Sequence, residues 1–152
     1  MLGQARSHQA RDADFDTSLP PQRLLVIDDD NLHRMIICRA AAKAGYVPAG
    51  AASYEEAETL ARSHAFDCIT LDLSLGQHVG AEMLRHLSAI GCKAPIVIIS
   101  GCDGATCRET LQVAKALDLN VQEPVPKPVD LAMLRDALGR LRRQRDDAAV
   151  RA

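Results

Sequence analysis

Three short aliphatic runs constrain this chain more than any other feature: Leu24-Leu25-Val26-Ile27, Cys68-Ile69-Thr70-Leu71 and Ile96-Val97-Ile98-Ile99. Each is continuous rather than alternating. A strand that is apolar on both sides is buried on both faces, the mark of a parallel sheet covered by helices. Weaker strands are expected at 47–52 and at 121–125, the second containing Pro124. Helical periods lie between the runs. Leu32, Met35, Ile36 and Ala40 form an inward stripe that Gly45 stops. Ser53 and Glu56 make a capping box ahead of Ala57, Leu60 and Ala61. Met83, Leu84, Leu87 and Ile90 share a face before Gly91, and Leu111 and Ala114 point inward from a helix within 104–118. Asp130 caps a last helix with Leu131, Leu134, Leu138 and Leu141 inward. Five strands alternating with five helices predict an α/β chain, a (βα)5 doubly wound five-stranded parallel sheet.

With 152 residues the chain fits one domain and can bury enough surface to fold without a metal or disulfide staple. Its net charge of −2 argues against nucleic acid as a partner. No apolar run approaches a membrane span, and the start, MLGQARSHQARDADFDTS, has no apolar signal core. Five cysteines, an odd number with no export signal, predict reduced thiols in a cytoplasm. Residues 1–22 read as a flexible arm, 23–143 as the folded domain and 144–152 as a short polar tail. Asp12, Asp14 and Asp16 alternate as in a calcium loop, but the loop's glycine and its final glutamate are missing. Arg140, Arg142, Arg143 and Arg145 are offset by Asp146 and Asp147 and read as the solvated end of the last helix. Cys102 and Cys107 have too weak a spacing for a metal site, and His33, His64, His78 and His86 are scattered and carry no assigned chemistry.

In a doubly wound sheet, ligands bind at the carboxyl ends of the strands. Here those ends carry Asp28-Asp29-Asp30, Asp72, Ser100-Gly101 and Lys127-Pro128. Clustered carboxylates repel one another unless a cation joins them, and oxygen-only ligands suit Mg2+. A hydroxyl and an ammonium beside them are what a transferred phosphoryl group needs. The pattern therefore points to phosphoryl handling with a carboxylate nucleophile.

The motifs LLVIDDD (24–30), FDCITLDLSLGQHVG (66–80), APIVIISG (94–101) and PKP (126–128) give the chain a resemblance to the receiver domain of bacterial two-component response regulators. The resemblance spans about residues 23–143. It implies a flavodoxin-like sheet of strand order 2-1-3-4-5. It implies that Asp72 accepts a phosphoryl group from a phosphohistidine, with Ser100 and Lys127 as its hydroxyl and ammonium partners. The same resemblance implies a Mg2+ site of Asp29, Asp72 and the backbone carbonyl of Ser74, with Asp28 assisting, and a cis Lys127-Pro128 bond. Asp30 is left outside the metal set. Ser74 and Cys102 stand where the family tunes hydrolysis, and neither can position an attacking water, so a long-lived phosphorylated state is expected. Three features depart from the family, the first being Gly76, which stands where a proline is common. Ser100 and Lys127 are 27 positions apart, about five more than usual. Pro124 stands where an aromatic switch residue is common.

The expected function is that of a stand-alone receiver, not an enzyme beyond its own phosphorylation and dephosphorylation. Its implied partners are a sensor histidine kinase or histidine phosphotransfer protein, a downstream protein, and a second copy through the face of helix 4, strand 5 and helix 5. Because proline cannot swing a ring, the signal is expected to leave through residues 101–119. The enzyme alternative is a haloacid-dehalogenase-like phosphatase using Asp28 and Asp30 with Ser100 and Lys127, which leaves Asp72 unexplained. A degenerate receiver that binds partners without phosphorylation is disfavoured by the intact set of acids, Ser100 and Lys127.

Overall fold

The aliphatic runs form the centre of a single sheet. The structure, a computed structural model, describes residues 20–73, 79–101 and 104–151. Its elements alternate strictly: β1 (Arg23–Ile27), α1 (Asn31–Lys43), β2 (Val47–Ala51), α2 (Tyr54–Ser63), β3 (Cys68–Asp72), α3 (Val79–Ala89), β4 (Ile96–Ser100), α4 (Gly104–Ala116), β5 (Val125–Pro126) and α5 (Leu131–Arg151). The strand order is β2-β1-β3-β4-β5, and every pair is parallel. The (βα)5 expectation thus holds, strand order included.

Strand side chains alternate between faces, so each aliphatic run feeds two cores. Leu25, Ile27, Ile69, Leu71, Ile96 and Ile98 pack with Ala57 of α2, Met83, Leu84 and Leu87 of α3, and Ala114 of α4. Leu24, Val26, Cys68, Val97 and Ile99 pack with Ile37, Ala40 and Ala41 of α1 and with Leu134 and Leu138 of α5. The strand order reverses between β1 and β3, where Ile27 lies opposite Leu71. That register brings the next residue of β1, Asp28, beside the end of β3.

The caps read from the sequence are present. Asp30 accepts the His33 N–H at the start of α1, Ser53 and Glu56 close the start of α2, and Asp130 accepts two N–H groups of α5. Each such cap is worth about 1 kcal/mol.

The inward stripe of α1 is a correction. Leu32 and Met35 are 61% and 44% exposed, while Ile37, Ala40 and Ala41 are buried. The helix turns small residues to the sheet, and alanine permits closer approach than the bulky residues the period had favoured. Ile90 and Leu131, at or just beyond helix ends, are also exposed. Strand five is shorter than expected: the ladder covers Val125 and Pro126, with a single bridge from Val121 to Ile96 before it. Pro124 has no N–H to extend the ladder. Between Ser100 and Lys127 lie α4 and a turn at Asp118, whose φ of 57° lies in the left-handed region that aspartate tolerates better than most residues.

The last helix continues through 144–151, the stretch expected to be a polar tail. A buried polar cluster holds it. Arg142 is 4% exposed, so it is not a solvated charge. Its Nε donates to the Ala44 carbonyl at 3.0 Å and its Nη1 meets Asp146 Oδ2 at 2.9 Å. Gln22 Nε2 donates to the Arg142 carbonyl at 2.8 Å and to Asp146 Oδ1 at 2.7 Å. Gln22, assigned to the arm, is therefore part of the folded body. Arg142→Ala should lower stability to urea by about 1–3 kcal/mol, because buried hydrogen-bonding groups lose their partner. The exposed Arg143→Ala should stay within about 0.5 kcal/mol of wild type. Equal effects in urea titrations would show that the buried cluster contributes nothing.

Candidate functional site

The carboxyl edge of the sheet gathers the polar residues that the strands deliver. Asp28 follows β1 and continues its ladder, its N–H donating to the Ala51 carbonyl at 3.0 Å. By alternation it continues the face of Leu24 and Val26, the face that α1 covers. Asp72 ends β3 on the same face. Both carboxylates are buried, at 2% and 1% exposure. Two desolvated carboxylates this close need compensation. Lys127 Nζ supplies part of it, 2.7 Å from Asp72 Oδ2. The Asp30 N–H donates to Asp28 Oδ1 at 2.9 Å. The imidazole of His33 adds to it: its Nδ1 is hydrogen-bonded to Asp28 Oδ2 and lies 3.6 Å from Asp72 Oδ2. Arg34 Nη1 donates to the Asp28 carbonyl at 2.9 Å, which fixes the turn out of β1.

Burial pushes the Asp28 carboxyl above its usual range, and the charge of Asp72 pushes it the same way. The Asp30 N–H and His33 oppose that shift. Burial thus disfavours the ionised carboxylate, and a cation shared with Asp72 would offset that cost.

Ser100 is buried at the end of β4. Its carbonyl accepts the Lys127 N–H at 3.1 Å, which ties the lysine backbone to that strand. The Lys127-Pro128 bond is cis, as the resemblance implied. A Cβ on Gly101 would come within 3.2 Å of Lys127 Cδ, so glycine leaves room for the lysine stem to reach Asp72.

Most of the residues expected from the sequence therefore meet: Asp28, Asp72 and Lys127 are in direct reach of one another or of a shared partner, with Ser100 on the adjoining strand. Asp29 is exposed and stands outside the group of ligand atoms that converge. Asp30 caps α1 and stands exposed, outside the converging group that the phosphatase alternative would need it to join. Ser74 and Cys102 lie outside the described residues. Among the described residues the converging group, with ligand atoms all within 4.8 Å of one another, is Asp28, His33 and Asp72. Its oxygen donors fit a hard divalent cation such as Mg2+. His33 is the member that sequence reasoning missed. The signal was there in phase: His33 stands four residues before Ile37, on the stripe that α1 turns inward.

Comparisons with known proteins agree with this geometry. The family model for the response regulator receiver domain matches residues 24–139, and the chain belongs to that family. "Response regulator MprA" of Mycolicibacterium vanbaalenii is 31% identical over 114 residues, covering 75% of this chain and 47% of that protein. The chain spans about half the length of the MprA relatives it matches. "Protein CcdB" of Bacillus subtilis is 27% identical over 120 residues, covering 78% of this chain and 96% of its own. Among solved structures, a CheY-like receiver domain protein from Methanospirillum hungatei JF-1 superposes with a TM-score of 0.70 at 19% identity, covering 88% of this chain and all of that one. The Francisella response regulator 1452 receiver domain gives 0.68 at 22% identity, covering 81% and 98%. Those two likenesses establish the fold. Together, fold, family and clustered acids make this a signalling receiver domain with a site consistent with a phosphoacceptor pocket.

Relieving the repulsion between Asp28 and Asp72 should stabilise the protein when no divalent metal is present. Asp72→Asn is expected to raise resistance to urea by about 1 kcal/mol, since functional sites commonly sacrifice stability of that size. Lys127 is partly exposed and can hydrate once its partner is neutral. A lower urea midpoint for Asp72→Asn in chelator would show that the ion pair outweighs the repulsion.

Proposed function

We propose that this receiver accepts a phosphoryl group from a phosphohistidine onto Asp72 in a Mg2+-dependent reaction and passes the signal to a protein partner. The observation that carries the reading is the 2.7 Å approach of Lys127 Nζ to the buried Asp72 carboxylate at the carboxyl edge of the sheet. One Asp72 oxygen attacks phosphorus, the P–N bond to the donor imidazole breaks, and that nitrogen leaves with the electron pair. Charge spreads over the three equatorial phosphoryl oxygens. Lys127 neutralises part of it, and the Ser100 hydroxyl donates to another oxygen. Asp29, Asp72 and the Ser74 carbonyl would hold Mg2+ with Asp28 assisting, and the cation would neutralise and orient the phosphoryl oxygens. The donor is a sensor histidine kinase or a histidine phosphotransfer protein, in a cytoplasm.

Incubation with acetyl phosphate and Mg2+ followed by intact mass measurement should show one added phosphoryl group per chain. Chelator or Asp72→Asn should abolish it. Asp29→Ala should weaken metal binding at least about tenfold more than Asp30→Ala, whose carboxylate is already used as a helix cap. Labelling of Asp72→Asn at the wild-type rate would overturn the assignment of the acceptor.

The output route follows from the same edge. Ser100 is continuous with the segment leading to α4, and its carbonyl holds the backbone of Lys127 after β5. A cleft of about 200 Å3 lies between β5 and α5, lined in part by Val97, Gln122, Val125 and Leu141. Pro124 beside it cannot change rotamer as an aromatic ring can. Movement of Ser100 toward a phosphoryl group would therefore shift residues 101–119, and the partner or a second copy would read the face of α4, β5 and α5. Hydrogen exchange with and without beryllofluoride should change within 101–119. Changes confined to other segments would refute this route while leaving the acceptor assignment standing.

A further inference from the structure

His33 sits in the first turn of α1 with Nδ1 directed at two buried carboxylates, and neither the family match nor the oxygen-ligand scheme above uses it. Resting on the receiver reading, we propose that His33 is a nitrogen ligand of the divalent-cation site, which shifts the pocket's preference from Mg2+ toward Mn2+ and Co2+. Two ligand atoms about 2.1 Å from one ion are separated by roughly 3.0 Å when adjacent in an octahedron and 3.4 Å in a tetrahedron. Nδ1 of His33 is already 3.6 Å from Asp72 Oδ2 and bonded to Asp28 Oδ2. Small movements would place all three on a single ion. The metal would take the place of the hydrogen bond between Nδ1 and Asp28.

The helix makes this placement firm. Asp30 caps α1 and accepts the His33 N–H, so the backbone of the residue is tied to the same turn that carries Asp28 and Asp29. Ile37, one turn on, is fully buried against the sheet and sets the phase that turns His33 inward. The His33 side chain keeps partial exposure, so an ion can enter from solvent. A histidine serving Asp28 alone would not need to bring the same nitrogen toward Asp72 as well.

The consequence is one of selectivity. Carboxylate, carbonyl and water suit Mg2+, whereas imidazole suits transition ions, whose affinity rises from Mn2+ to Co2+ at sites with nitrogen donors. An all-oxygen pocket follows the same order with a shallower rise. A pocket with His33 gains at each step.

The test is metal binding by the full chain, read by equilibrium dialysis with Mg2+, Mn2+ and Co2+, and by electron spin echo modulation of bound Mn2+. Wild type should show nitrogen-14 coupling from a directly bound imidazole. His33→Ala should lose that coupling and bind Mn2+ and Co2+ about tenfold more weakly or worse, with Mg2+ affinity changed less than about threefold. His33→Gln keeps a hydrogen-bond donor toward Asp28 and should show the same loss for Mn2+ and Co2+. Absence of coupling in wild type, its persistence in His33→Ala, recovery of both ions in His33→Gln, or an equal change for all three ions would each overturn the proposal. Mg2+-dependent labelling of Asp72 in the same wild-type preparation reads the parent function separately. Labelling without nitrogen coupling refutes the ligand role of His33 alone, and coupling without labelling refutes the receiver chemistry alone.

Discussion

Burial of β1, β3 and β4 on both faces is the constraint from which the rest of the molecule follows. Their residues are buried at consecutive positions from Leu24, Cys68 and Ile96 onward, so one helical layer cannot cover them. The chain must cross over after each strand, and parallel strands then all end at one edge. Asp28, Asp72, Ser100 and Lys127 are distant in sequence yet meet there for that reason alone. The reversal of strand order between β1 and β3 opens the crevice in which the first two lie.

That edge concentrates charge where water is scarce. Asp28 and Asp72 are held by Lys127, His33 and a backbone N–H, and the balance is incomplete, since Asp28 binds its proton more readily than a free aspartate. Two buried carboxylates at one spot are favourably placed to share a cation. The opposite end of the sheet is built differently. There buried Arg142 donates to the Ala44 carbonyl and to Asp146, with Gln22 bonded to the same helix turn. That end is held by a guanidinium, a carboxylate and an amide, whereas the carboxyl edge gathers two buried carboxylates around Lys127 and His33.

Much of this was legible in residue order. The two-sided apolar runs dictated a covered parallel sheet, the acids and Lys127 at strand ends marked the edge that matters, and Ser53, Asp30 and Asp130 stood where helices begin. Local chemistry suffices for such features, because a cap or a strand end depends on neighbours in the chain. The phase of α1 was not legible in that way. Leu32 and Met35 look inward by composition, but the sheet accepts the small faces of Ala40 and Ala41 beside Ile37. The same rotation carries His33 into the acidic pocket, so a residue that looked scattered in the sequence became part of the site.

The sequence by itself determined the class of fold, the edge that carries the chemistry and the acids that could accept a phosphoryl group, since each follows from hydropathy period or from residue type at a strand end. Only the tertiary structure decided that Arg142 is buried, that the last helix runs on to Arg151, and that Asp28, His33 and Asp72 converge while Asp29 faces solvent. Those outcomes depend on packing between elements separated by tens of residues. The rotation of a helix about its axis is set by the shape of the surface it meets, which no local pattern encodes.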